Sequence, residues 1–162
     1  MVYSSLDILD IAINIEINGK LFYTKAAEST SNIIAKRALL ELAGKEDSHA
    51  DFFKKLSKQV QQNQIIFTDS NEFMQLVKEM ADTHVFVKSD IGLEIEKIAK
   101  GNLSEIFGIA IQFEKDTIVF FNEIGQKLSG ESKFIIDQII SEESEHIRIL
   151  NRIVKELNLV VI

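Results

Sequence analysis

Six residues in this sequence have the types and the spacing that a metal site requires. They are Glu16, Glu46, His49, Glu114, Glu143 and His146. Two glutamate–histidine pairs have the same spacing of three residues, which places both side chains of a pair on one face of a helix. The chain contains only 3 histidines, so two in the same pattern are informative. Carboxylate oxygens and imidazole nitrogens bind iron, manganese or zinc.

Four long helices are predicted to carry these residues. Apolar residues recur at helical spacing over about residues 5–28, 32–60, 103–127 and 131–157. Asn102, with Glu105 three residues later, predicts the start of the third helix, and Ser129–Gly130 separates the third from the fourth. Ser4 and Asp7 form a weaker capping box at the first. The absence of proline agrees with long, uninterrupted helices.

A long connection, residues 61–101, joins the second and third helices. It contains two shorter helical patterns, near Asn71–Asp82 and Ser89–Lys100, separated by the extended-looking segment Val85–Val87. The predicted fold is therefore all-α. Two helix hairpins joined by one crossover make a four-helix bundle, and the length fits a single domain over residues 1–162.

The two hairpins resemble two copies of one unit. The first helix aligns with the third at an offset of 98 residues, which places Glu16 on Glu114. The second aligns with the fourth at an offset of 97, which places the Glu46 pair on the Glu143 pair. Such a repeat predicts a pseudo-two-fold axis between the hairpins.

The candidate ligands interrupt apolar stripes that face the bundle interior. On the second helix the stripe is Leu39, Leu42, Glu46, His49, Phe53 and Leu56. Burying an unpaired carboxylate costs several kcal/mol, and four together require positive charge nearby. Two divalent cations would neutralise the four carboxylates, and one glutamate from each of two helices plus a glutamate–histidine pair from each of the others is a known dinuclear ligand set. The sequence therefore predicts a dimetal site, without indicating which carboxylates bridge.

Four other polar residues are interpreted separately. Tyr23 lies on the inward face of the first helix, and a buried phenol needs a partner, so we expect a hydrogen bond to a ligand carboxylate. His84 lacks the paired pattern and is interpreted as a surface or packing residue. Glu142 and Glu145 are expected to face solvent, although Glu142 lies four residues before His146 and could substitute as a ligand.

Composition excludes several classes of function. The absence of cysteine excludes disulfides, zinc ribbons, iron–sulfur clusters and thiol chemistry. A net charge of −7 argues against binding to a nucleic-acid backbone. The sequence has no targeting segment and no apolar run of about 18 residues, so we expect a soluble cytoplasmic protein that makes no membrane contact.

The sequence resembles the ferritin-like superfamily of dinuclear iron carboxylate proteins, and within it the rubrerythrin-like branch. The segments that carry the resemblance are AINIEINGKLFY, KEDSHADFF, AIQFEKDTIVFF and SEESEHIRIL. The resemblance implies a left-handed ferritin-like bundle with two iron ions held by the six candidate ligands. It also implies a homodimer or larger assembly, and a reaction with hydrogen peroxide or dioxygen.

Two features depart from the rubrerythrin pattern. Those proteins carry a cysteine-rich rubredoxin domain that delivers electrons, and this chain has no cysteine. They also carry an additional glutamate one turn after the third-helix ligand, where this chain has Thr117. Peroxide reduction here would therefore need a separate electron-donor protein.

Three alternatives to a rubrerythrin-like reductase are compatible with the sequence. The symmetrical ligand set also fits a ferroxidase or iron-handling protein of the bacterioferritin kind. A dimanganese, catalase-like centre uses similar ligands, and zinc accepts them as well. The last alternative is a helical module that binds metal without turnover.

Overall fold

Four long helices contain most of the residues that the computed structural model describes, which are 5–62, 75, 79, 98, 102–126 and 129–161. The helices are α1 (Ser5–Ser29), α2 (Ile33–Gln61), α3 (Leu103–Gly125) and α4 (Gly130–Glu156). Each helix end lies within two residues of the end that periodicity predicts. Helix α1 packs along α2 and α3 packs along α4, so the bundle consists of two hairpins. The predicted all-α four-helix bundle is confirmed.

Side-chain caps fix the starts of two helices. Asn32 Oδ1 accepts hydrogen bonds from the backbone N–H groups of Ile34 and Ala35 at the start of α2. Asn102 Oδ1 accepts from the N–H of Glu105 at the start of α3, which is the predicted cap. At the start of α4, Gly130 has a φ of +59°, a left-handed conformation that glycine adopts without strain. The predicted capping box at Ser4 lies outside the described residues.

Beyond Gln62, only three residues of the crossover are described. Gln75 and Glu79 are helical and joined by a side-chain hydrogen bond of 3.0 Å, and Ile98 is helical and buried in the core. These three lie within the two predicted short helical patterns. The Val85–Val87 segment and His84 lie outside the described residues.

The core between the hairpins is rich in aromatic rings. Six phenylalanines are at most 1% exposed: Phe22, Phe53, Phe107, Phe113, Phe120 and Phe121. Phe53 of α2 stacks on Phe121 of α3 with ring centroids 5.0 Å apart, which joins the two hairpins. This layer lies next to the buried polar residues described below.

None of the helices in the described ranges is both long enough and apolar enough to cross a membrane.

Candidate metal centre

The structure brings all six candidate ligands together inside the bundle. Each of the four helices contributes: α1 and α3 one glutamate each, α2 and α4 a glutamate and a histidine one turn apart. The four glutamates and His146 are completely buried, and His49 is 4% exposed. The apolar stripes that predicted this position therefore do face inward.

The donor atoms form two overlapping groups, each with one ligand atom per residue and all atoms within 4.8 Å of one another. The first group is Glu16, Glu46, His49 and Glu143. The second group is Glu46, Glu114, Glu143 and His146. Glu46 and Glu143 belong to both groups. Spacing along the chain did not indicate this overlap.

The histidine rings face each other across the site, nearly parallel at 15° with centroids 5.7 Å apart. Glu143 lies between them: its Oε1 is 2.8 Å from His49 Nδ1 and its Oε2 is 2.8 Å from His146 Nδ1. His146 Nδ1 also lies 3.3 Å from one oxygen each of Glu46 and Glu114. Both rings thus direct Nδ1 toward the carboxylates.

Ten buried side-chain atoms of the six residues have no hydrogen-bond partner within the described part of the chain. The short contacts to Nδ1 do not change this, because they lack the direction of a hydrogen bond. Buried polar groups in proteins are nearly always paired, and a cluster of orphaned carboxylate oxygens and imidazole nitrogens needs a ligand. Oxygen and nitrogen donors in this number suit divalent transition metals, so the residues fit a pair of metal ions.

Electrostatics separate Glu143 from the other three carboxylates. Burial, reinforced by the negative charge of Glu143, raises the pKa of Glu16, Glu46 and Glu114 well above the ordinary value. Burial acts in the same direction on Glu143, but its contacts with both histidines outweigh that effect and lower its pKa.

The histidines show the opposite balance. Burial alone would lower the pKa of both rings, but the surrounding carboxylates outweigh it and raise the pKa of His49 and of His146. Protons therefore bind Glu16, Glu46, Glu114 and both imidazoles more tightly than they bind the free side chains. Metal ions that bind here must displace those protons.

A family model described as Rubrerythrin matches residues 7–108 of the 162. The chain belongs to the rubrerythrin family. The matched part contains Glu16, Glu46 and His49, while Glu114 and the Glu143 pair follow it in the chain. The resemblance read from the sequence is thereby confirmed.

A solved structure extends the similarity to both hairpins of this rubrerythrin-family protein. A crystal structure of a candidate ferritin-like diiron-carboxylate protein from Thermotoga maritima is 28% identical in sequence, with a TM-score of 0.71. The alignment covers 95% of this chain and 96% of that one. No curated protein sequence matches the chain.

Tyr23 makes the contact that the sequence predicts for it. The side chain is completely buried, and its Oη donates a hydrogen bond to Glu114 Oε1. Burial and the charge of Glu114 raise the pKa of Tyr23 well above that of a free phenol. The hydroxyl therefore keeps its proton and remains a donor to this carboxylate.

Glu142 does not substitute as a ligand near His146, because it belongs to neither donor group. Its side chain is half exposed, and Oε2 lies 3.4 Å from Nε2 of the other histidine, His49. Lys45 Nζ of α2 lies 3.5 Å from the same oxygen. Glu145 is exposed, as expected, and pairs with Arg148. Spacing along α4 could not reveal a contact that crosses to another helix.

Gly19 is a second feature that the ligand pattern missed. A Cβ atom at this position would lie 2.8 Å from Phe113 Cζ and 3.2 Å from Glu46 Oε2. Only a residue without a side chain lets the ring of α3 and the shared carboxylate come this close to α1. The signal in the sequence was a glycine within an inward-facing stripe, one turn after Glu16.

Proposed function

We propose that the protein holds two iron ions and uses them to reduce hydrogen peroxide or dioxygen, with electrons from a separate protein. The observation that carries this proposal is the pair of buried donor groups that share Glu46 and Glu143, with their unpartnered oxygens and nitrogens. The ligand types also suit manganese or zinc. Membership of the rubrerythrin family, and the diiron-carboxylate name of the Thermotoga maritima structure, favour iron.

Each metal position would have its own glutamate and histidine. Glu16 and His49 serve the first position, Glu114 and His146 serve the second, and the shared carboxylates serve both. When bound, the iron pair supplies the electrons for reducing the oxidant. Complete burial of the glutamates keeps bulk water from the donors, and Tyr23 fixes the orientation of Glu114 through its hydrogen bond.

The electron supply must come from outside the described bundle. Reduction of hydrogen peroxide to water consumes two electrons and two protons for each molecule, so repeated turnover requires a donor. The chain has no cysteine with which to hold an iron–sulfur or rubredoxin centre. A separate redox protein fills that role in our proposal.

Iron content and oxidation kinetics test the proposal together. We expect protein loaded anaerobically with ferrous iron to hold two ions per chain and to be oxidised by peroxide or dioxygen within seconds of stopped-flow mixing. Glu114→Ala and His146→Ala should each lower the iron content toward one ion or none. Glu145→Gln, an exposed change on α4, is the matched control and should retain both ions.

Two results would contradict the proposal in different ways. Unchanged iron content in both alanine variants would remove the metal centre itself. Two bound ions without oxidation would leave the centre but make the protein a metal-binding module. Turnover with a reduced donor protein separates a peroxidase from a single-use oxidant scavenger.

A second candidate, ferroxidase and iron storage, follows from the symmetry of the ligand set. Gly19 and Thr117 occupy the equivalent positions one turn after Glu16 and Glu114, so neither side has an additional carboxylate there. Native mass measurement separates the candidates: we propose a homodimer, whereas a storage protein forms a large shell. Uptake of iron far beyond two ions per chain would favour storage.

A further inference from the structure

The two metal positions have a pseudo-symmetrical set of ligands, but the residues that contact those ligands differ between the two positions. At the offset of 97 that relates α2 to α4, the counterpart of Glu142 is Lys45. At the offset of 98 that relates α1 to α3, the counterpart of Tyr23 is Phe121. In each case a polar residue contacts one of the six candidate metal ligands, and the residue at the equivalent position cannot make the same contact.

The histidines show the first difference. His49 Nε2, on the side of the ring away from the carboxylates, lies 3.4 Å from Glu142 Oε2. His146 Nε2 is buried and has no hydrogen-bond partner among the residues the structure describes. The lysine at the equivalent place is a donor and cannot accept a ring N–H; it contacts Glu142 instead.

The outer glutamates show the second difference. Glu114 Oε1 accepts a hydrogen bond from Tyr23, which draws charge away from that carboxylate. Phe121 stands at the equivalent position and has no group to donate. Neither oxygen of Glu16 has a hydrogen-bond partner in the described ranges, so its full charge is available to a cation.

We propose that Glu142 is a positioning residue for His49, and that it makes the Glu16–His49 position the tighter of the two, filled first. The proposal rests on the dimetal centre proposed above. A carboxylate that accepts the outer N–H of a ligating imidazole fixes its tautomer and ring orientation and makes the ring a stronger donor. Among the described residues, no such carboxylate contacts His146 Nε2, and the hydrogen bond from Tyr23 makes Glu114 a weaker donor to a metal ion.

The contact itself is tested in the metal-free protein with Glu142→Gln and the control Glu145→Gln. Both variants remove one exposed charge from α4 and one ion pair with a basic residue. With ¹⁵N-labelled histidine, the ring signals of His49 should shift in Glu142→Gln and stay in place in Glu145→Gln. Ring signals are assigned with His49→Gln and His146→Gln. Equal spectra in the two charge variants would overturn the proposal.

Ordered filling is tested with Zn²⁺, a diamagnetic ion that moves the ¹⁵N signal of the ring nitrogen that it binds. In the wild-type protein one equivalent should move the Nδ1 signal of His49 while that of His146 stays near its metal-free position. In Glu142→Gln this preference should shrink or reverse. Equal movement of both Nδ1 signals in the wild-type protein would overturn the proposal.

Affinity is tested by anaerobic calorimetry with ferrous iron. The wild-type protein should bind in two steps, and Glu142→Gln should weaken the tighter step by about 10- to 100-fold while the second step changes little. Glu145→Gln should match the wild type. Two wild-type steps that Glu142→Gln leaves unchanged would overturn this inference alone. A wild-type protein that fails to bind two ions would overturn the proposed function, and the inference with it.

Discussion

At the scale of single residues, the four buried carboxylates differ in the direction in which their pKa is shifted. Glu143 contacts both histidines and is the one whose pKa is lowered, so it stays charged in the metal-free protein. Burial raises the pKa of Glu16, Glu46 and Glu114, so these three bind protons more tightly than a free glutamate does. Protons and metal ions therefore compete for these carboxylates, and either one reduces the cost of burying their charge.

Replacing Tyr23 by phenylalanine tests how much one hydroxyl contributes. The ring keeps its edge-on contacts with Phe22 and Phe113, so the change removes only the bond to Glu114. In the iron-loaded protein Glu114 is ionised, and we expect the free energy of unfolding to fall by about 1.5–3 kcal/mol. The raised pKa of Glu114 lowers its charge in the metal-free protein, and we expect a smaller loss of about 0.5–1.5 kcal/mol.

Chemical denaturation of both proteins, with and without iron, measures these losses. The difference between the loss with iron and the loss without iron excludes any effect of Tyr23→Phe on packing, because the packing is the same in both states. Equal losses with and without iron would show that the hydroxyl does not act on a charged Glu114.

At the scale of helices, two glycines have opposite environments. Gly19 of α1 faces the site, where an added Cβ would lie 2.8 Å from Phe113 Cζ. Gly44 of α2 is exposed, with nothing within 4 Å of an added Cβ. The first sets the distance between α1 and α3, while the second only lowers the intrinsic stability of its helix.

Alanine at each glycine distinguishes these roles. Gly44→Ala should raise the free energy of unfolding by about 0.5–1 kcal/mol, because alanine is the better helix former. Gly19→Ala gains the same propensity but crowds a buried ring, which costs about 1–3 kcal/mol, so we expect net destabilisation. It should also weaken iron binding, because Glu46 Oε2 lies 3.2 Å from the added atom. Stabilisation of both variants alike would contradict the close approach.

Periodicity and spacing along one helix predicted the helices and the six clustered residues. The apolar stripes that Glu46 and Glu143 interrupt can be recognised from the sequence, because each stripe and its interruption lie on a single helix. The contact between Glu142 and His49, and the crowding at Gly19, depend on how neighbouring helices are rotated and how closely they approach. Those quantities are set by side-chain packing between helices, which spacing within one helix does not determine.

At the scale of the whole molecule, the metal centre joins two hairpins. Many residues of the two helices in each hairpin approach each other closely, whereas few residues of one hairpin approach the other as closely. Every helix contributes at least one of the six clustered residues, so bound ions would connect α1 and α2 to α3 and α4. A ligand that binds only the folded state stabilises it in proportion to the logarithm of its concentration. Iron should therefore raise the melting temperature of the whole bundle.

The rise in melting temperature that iron produces should become larger as pH increases, because the metal-free protein loses stability. The pKa values of Glu16, Glu46 and Glu114 are raised in the fold, so their contribution to stability is complete in acid and is lost as pH rises. The raised pKa values of His49 and His146 act in the same direction. We expect the melting temperature of the metal-free protein to fall from about pH 4.3, the ordinary pKa of a glutamate, upward through neutral pH.

Iron should remove most of this loss, because binding requires the deprotonated glutamates and neutral imidazoles and becomes more favourable as protons are released. Scanning calorimetry of metal-free and anaerobic iron-loaded protein across that range should show a widening gap between their melting temperatures. Glu114→Gln is the control, since it keeps the shape of the side chain but removes one titrating group and should flatten the metal-free profile. A metal-free melting temperature that rises with pH would mean that the buried carboxylates are already ionised in the fold, and protons could then not be what metal ions displace.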